Sequence, residues 1–186
     1  MRVLTVGVRF PEQSDAPWPV LVAALRARGD TVHVLTTEGA GPEGNGVDRA
    51  LRCFWDEERG AFRRPPRLEA SRIARHDLRV LGDTLRAVRA DAVVWTAMGG
   101  LPLTLIGASG LPELALVLDD WPGYGPQVDP VTRRDGWDPA AVLAWCCATD
   151  ALAASATALG TVAADRVSVG TDAVAVARQL DAACVA

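Results

Sequence analysis

The sequence predicts an α/β domain, a doubly wound and mostly parallel sheet of Rossmann-like class, and three observations lead there. Short β-rich apolar runs alternate with helix-like segments, the pattern of a parallel sheet covered on both faces. No internal repeat or low-complexity linker divides that array, so residues 1–186 read as one domain. The length, 186 residues, suffices for a real core, burying roughly 70% of the surface exposed by the unfolded chain.

VLTVGV (3–8) is the first strand, followed by the loop RFPEQSDAPWP. VLVAALRARG (20–29) places Val22, Leu25 and its alanines on one helical face before Gly29 ends the helix. TVHVLTT (31–37) is the second strand, with Val32 and Val34 on one side and His33 on the other. EGAGPEGNG (38–46) reads as an exposed, mobile loop. The stretch 47–62 is the least legible and allows a short strand near 51–54. Beyond RRPPR, the positions Ala74, Leu78, Leu81, Leu85 and Val88 recur at spacings of four and three, which makes a long amphipathic helix with an arginine-rich outer face.

DAVVW (91–95) follows as a strand, LPLTLIGAS (101–109) as a short helix, and ELALVL (113–118) as a strand leading into the loop DDWPGYG. The tail continues the alternation: helix PAAVLAWCCA (139–148), strand DALAAS (150–155), helix ALGTVAA (158–164), strand RVSVG (166–170), and an alanine-rich helix over 172–184.

Composition excludes several functions. A formal charge of −4 and a pI near 5.2 leave no electrostatic footprint for nucleic acid. All 19 basic residues are arginine, so neither a P-loop lysine nor Schiff-base chemistry is available. Cys53, Cys146, Cys147 and Cys184 form no C-x-x-C, and His33 and His76 are far apart, so no metal site is expected and free buried thiols are the better reading. The N-terminus is neither a signal peptide nor a membrane span, and a cytoplasmic location is expected. There is no G-x-G-x-x-G after the first strand and no G-x-S-x-G, which leaves Ser155 an unsupported nucleophile.

Loops leaving the carboxyl ends of parallel strands gather along one edge, where ligands bind at the reversal of strand order. RFPEQSDAPW, TAMGG and DDWPGYG all leave in that direction. Asp119 and Asp120 could accept hydrogen bonds from sugar hydroxyls, with Trp121 or Tyr124 as an apolar platform, and Gly99 and Gly100 could let backbone N–H groups approach a ligand. Such an Asp could equally cap the segment that follows or pair with an arginine, and the glycines could form a plain tight turn.

MRVLTVGVRFPEQSDAPWPVLVAALRARGDTVHVLTT, WTAMGGLPLTLI, LVLDDWPGYGPQVDP, DALAASATAL and RVSVGTDA, in that order, resemble the N-terminal domain of retaining glycosyltransferases of family four, which have the two-domain GT-B fold. The resemblance spans nearly the whole chain. It implies an acceptor-binding half of a hexosyltransferase, with Asp119, Asp120, Tyr124, Gly99 and Gly100 lining the crevice for a glycosyl acceptor. The C-terminal, donor-binding domain is absent from the chain on this reading. A sugar nucleotide is then expected only with a donor domain, which a partner chain could carry, and no other cofactor is implied. The sequence differs from the family in one stretch and at one position: Ser14, Asp15, Ala16 and Pro17 stand where a Gly-Gly pair is common, and Leu118 stands where a histidine often precedes Asp-Asp-Trp. The alternatives are a non-catalytic binding module or remnant, and a flavin-binding domain of flavodoxin type that shares the architecture without these motifs.

Overall fold

The computed structural model describes residues 1–10, 16–37, 45–56, 58–158, 162, 164–170 and 172–185. Seven parallel strands form one sheet: β1 (Arg2–Gly7), β2 (Thr31–Thr37), β3 (Val47–Leu51), β6 (Ala92–Trp95), β7 (Glu113–Val117), β8 (Val142–Cys147) and β9 (Val167–Val169). Their order is β3-β2-β1-β6-β7-β8-β9. The remaining two, β4 (Trp55–Asp56) and β5 (Ala61–Phe62), make a small antiparallel ribbon. The helices are α1 (Pro17–Ala27), α2 (Arg67–Val88), α3 (Trp121–Val128), α4 (Thr132–Asp135), α5 (Asp150–Ala158) and α6 (Ala173–Val185).

Successive residues of a strand point to opposite faces, and here both faces are covered. Val3, Val94, Leu114, Leu116 and Cys146 pack with Leu21 and Leu25 of α1 and Val176 and Leu180 of α6. Leu4, Val6, Val93, Trp95 and Val117 pack on the other side with Leu81 of α2, Trp121 of α3 and Ala156 of α5. The doubly wound architecture is therefore as the sequence predicts.

The tail is not. Residues 142–147 are a strand rather than a helix, and 150–158 are a helix rather than a strand. β8 is hydrogen-bonded between β7 and β9, and five of its six residues are buried, so this interior strand shows no alternation of apolar and polar residues to mark it. α5 is alanine-rich and starts where the Thr149 hydroxyl accepts from the Leu152 N–H at 3.2 Å, an N-cap that the strand reading overlooked. Most of the expected helix over 158–164 lies outside the described residues. The short helix expected over 101–109 is only a 3-10 turn, Leu103–Leu105, and β3 ends where a strand near 51–54 was expected to begin.

The segment after β7, which resembles an aromatic loop, is α3. Pro122 suits a first helical turn, but Gly123, Gly125 and Pro126 are poor helix formers, and burial of Trp121, Pro122 and Gly125 holds it instead. Asp129 closes this region. At 1% exposure, its carboxylate accepts from the Leu103 N–H (3.0 Å), the Val131 N–H (2.8 Å) and the Thr132 hydroxyl. Glu113, equally buried, accepts from Trp95 Nε1 (2.9 Å), the Gly107 N–H (2.8 Å) and Ser109 Oγ (2.5 Å). Both are structural carboxylates whose desolvation is offset by hydrogen bonds.

Candidate functional site

The strand order reverses between β1 and β6, so the crevice expected of an open α/β sheet lies outside their carboxyl ends. The two strands run very close there. A Cβ on Gly7 would stand 2.5 Å from Thr96 Oγ1 and 2.7 Å from the Thr96 carbonyl oxygen. The Val8 N–H then bonds the Ala97 carbonyl at 3.0 Å. Just past this junction both chains adopt left-handed backbone at non-glycine residues, Arg9 (φ 53) and Ala97 (φ 27). Strain of this kind persists only where the surroundings enforce it. On the β2 side, the Thr36 and Thr37 hydroxyls accept from the Phe10 and Arg9 N–H groups, so the exit of β1 is anchored. Ser14 and Asp15 lie outside the described residues.

β7 is the neighbour of β6, and its exit delivers Asp119 and Asp120 to the same edge. The two carboxylates are exposed, so crowded burial is not what they need relieved. Each has its own hydroxyl donor. Tyr124 OH donates to Asp119 Oδ2 at 2.6 Å, and Ser155 Oγ donates to Asp120 Oδ1 at 2.6 Å. Asp120 occupies the N-cap position of α3 but its side chain makes no capping bond. The pair therefore serves neither as a cap nor as an ion pair with arginine among the described residues.

Tyr124 is the hinge of the arrangement. Burial first, then the Asp119 carboxylate, pushes its phenol well above the usual tyrosine range, so it stays protonated and donating. Its ring packs on Phe62 (centroids 5.7 Å), which meets Trp55 edge-on at 5.0 Å. Gly99 backs directly onto it: a Cβ there would lie 2.8 Å from Tyr124 Cζ, and nearer still to the hydroxyl oxygen. Gly100 (φ +96) faces Phe62 and Trp55, and its carbonyl accepts from the Phe54 N–H at 2.7 Å. The structure thus brings all five predicted residues to one edge, with Gly99 and Gly100 seating the aromatic row.

Trp121 is not part of the site. It is fully buried and stacks on Trp145 at 5.7 Å, with Trp137 against both, so it cannot be an apolar platform for a ligand. Ser155 is the residue sequence reasoning missed. It lies 35 positions from Asp120, and only the placement of α5 as a helix turns it toward the carboxylate. His76 holds α2 to β3 through the Ala50 carbonyl (Nε2, 3.0 Å), and His33 pairs with Asp48 at 2.9 Å; neither reaches this edge.

Among the described residues no group of histidine, cysteine and carboxylate side chains could hold a metal ion. All four cysteines are free, Cys146 and Cys147 buried, Cys53 half-buried and Cys184 exposed, which corrects the expectation that all are buried. Burial pushes the Cys147 thiol up to about 11. Among the described residues no helix is long and apolar enough to cross a membrane.

No protein-family model and no curated protein sequence matches the chain. Solved structures do. The UDP-GlcNAc 2-epimerase of Neisseria meningitidis, bound to UDP-GlcNAc, is similar with a TM-score of 0.59 at 15% identity, over 91% of this chain and 45% of that one. The epimerase of Methanocaldococcus jannaschii gives 0.57 at 11% identity, over 91% and 45%, and that of Rickettsia bellii 0.56 at 11% identity, over 98% and 47%. The chain spans a little under half the length of these proteins. At such identities the likeness establishes the fold, one Rossmann-like half of the GT-B type.

Proposed function

We propose that this chain is the acceptor-binding half of a sugar-nucleotide-dependent glycosyltransferase of retaining, family-four type. The observation that carries this reading is the pair of exposed carboxylates, Asp119 and Asp120, each held by its own hydroxyl donor at the crevice edge. An ionised carboxylate is acceptor-only, so each keeps lone pairs for an incoming sugar hydroxyl. Tyr124 and Ser155 fix the orientation, which limits the entropy lost on binding. The sugar nucleotide is held by a second domain in this scheme, on the same or another polypeptide, and the resemblance at WTAMGG and DDWPGYG supports that assignment. No residue of this chain is given a covalent role.

Asp120→Asn tests it. The amide keeps the shape and can still accept from Ser155, and no cap is lost, so the melting temperature is expected to stay within the change that about 0.5 kcal/mol produces. Binding of any sugar acceptor found by thermal-shift screening is expected to vanish. Destabilisation by about 1 kcal/mol with acceptor binding intact would make Asp120 purely structural. The chain alone, given a panel of sugar nucleotides, is expected to transfer nothing.

A second reading has its own observation: the solved structures reported above are of UDP-GlcNAc 2-epimerases, not transferases. A melting temperature raised by UDP-GlcNAc alone, with free sugars inert, would favour it over acceptor binding.

A further inference from the structure

The long helix α2 buries one side and exposes the other. Ala70, Ile73, Ala74, Asp77, Leu81 and Thr84 turn inward. Leu68, Arg72, Arg75, Arg79 and Arg86 are exposed and recur at spacings of four, three, four and seven, so they form one line along the helix, opposite the buried side.

A solvated helix face usually laces the two signs together, with a carboxylate three or four residues from each arginine. Here the two carboxylates within reach are turned elsewhere: Glu69 holds Arg63, and Asp83 holds Arg86 at 2.5 Å. Arg72 and Arg79 make no hydrogen bond or ion pair among the described residues. Arg75 bonds only the Ser71 carbonyl of its own helix, at 3.2 Å. Three like charges at spacings of three and four repel one another, a destabilising arrangement that no neighbouring carboxylate offsets. The opposite side of the sheet differs. Arg28 lies between Asp30 and Asp181 at 2.7 and 2.9 Å, and Arg26 donates to the Val32 and Asn45 carbonyls at 3.0 and 2.9 Å. In a chain of net charge −4, the line on α2 is therefore a cationic strip on an acidic molecule, complementary to an anionic partner.

Leu68 decides which partner. It is 75% exposed at the head of the line, and Leu78, 37% exposed, flanks it. Exposed leucines beside arginines gain nothing from a phosphodiester polymer. At a bilayer they enter the acyl boundary while the guanidinium groups meet the headgroups. We propose that the outer face of α2 docks on the surface of a bilayer rich in anionic lipids. The helix lies flat on that surface, since its other side is core. Its first turn follows β5, whose Phe62 packs on Tyr124, so docking leaves the Tyr124 edge close to the lipid.

Co-sedimentation of the full chain with vesicles tests this, using phosphatidylcholine alone or mixed equally with phosphatidylglycerol, at low and high salt. Binding is expected to the anionic vesicles only, and to fall steeply with salt. Arg72→Gln, Arg75→Gln and Arg79→Gln are each expected to weaken it about fivefold, the factor one basic residue contributes near a charged bilayer, and the three together about a hundredfold. Glutamine suits a helix and relieves the repulsion, so the melting temperature is expected to hold or rise, which separates lost docking from lost folding. Arg178→Gln, at an exposed position of α6 on the far side of the sheet, is expected to bind as the parent does. Leu68→Ser is expected to weaken binding several-fold with the salt dependence unchanged. Sedimentation with neutral vesicles, or none with anionic ones, would overturn the proposal, as would a triple variant that binds like the parent or an equal loss in Arg178→Gln. Binding of duplex DNA in place of vesicles, with Leu68→Ser without effect, would assign the strip to nucleic acid and overturn it too. None of these substitutions touches Asp119, Asp120 or Tyr124, so the acceptor reading stands or falls separately.

Discussion

Gly7→Ala is expected to destabilise the protein by about 3 kcal/mol or more, at the upper end of what overpacking a core produces. The added methyl would meet both the side chain and the main chain of Thr96, at 2.5 Å from Oγ1, 2.7 Å from the carbonyl oxygen and 3.1 Å from the carbonyl carbon. The main-chain atoms cannot rotate away. Thr96 is itself locked into the sheet, its N–H bonding the Val6 carbonyl at 2.7 Å and its hydroxyl bonding the same oxygen at 3.2 Å. Relief requires β1 and β6 to separate at the point where the crevice is founded, and with it the left-handed turns at Arg9 and Ala97. Removing the hydroxyl should therefore not help: Gly7→Ala with Thr96→Ala is expected to be at least as unstable as Gly7→Ala alone. Urea denaturation of the parent and these two variants measures this. A Gly7→Ala protein within 1 kcal/mol of the parent would show that the strands do not run this close.

Gly99→Ala is expected to cost about 2 kcal/mol, and here a second substitution should rescue. The clash is with the far end of one side chain, Tyr124, which is half-buried and can swing out. Doing so gives up its bond to Asp119 and its contact with Phe62, which is where the cost arises. Tyr124→Ala already forfeits those contacts, so Gly99→Ala added to it is expected to cost almost nothing further. Such non-additivity is the mark of two residues in direct contact. Additive effects in the double-mutant cycle would place Gly99 and Tyr124 apart and dismantle the edge described for Asp119. The contrast with Gly7 is one of compliance: a side chain yields where a paired strand does not.

How far the sequence carries can be judged element by element. The helix at Ala74, Leu81 and Leu85 and the strands containing Val6, Val32, Val94 and Leu116 are legible because each has its own local period or apolar run, bounded by glycine, proline or charge. The exits of β1, β6 and β7 follow from parallel order alone, which is why Asp119, Asp120, Tyr124, Gly99 and Gly100 could be nominated together. β8 and α5 are exchanged in the sequence reading because alanine-rich segments suit either state, and what separates them is a pair of flanking strands in one case and a threonine cap in the other. Trp121 beside two aspartates looks like a ligand platform. It is core because α3 forms from residues with poor helix propensity once their burial outweighs that preference.

The sequence by itself determined the fold class, the two buried faces of the sheet and the edge on which ligand chemistry would gather, since these depend on patterns between near neighbours in the chain. Tertiary structure alone decided that Ser155 holds Asp120 and that Gly7 and Gly99 are needed for close approach rather than for turning. Contacts between residues far apart in sequence leave no local period to read; they exist only once the strands have taken their order in the sheet.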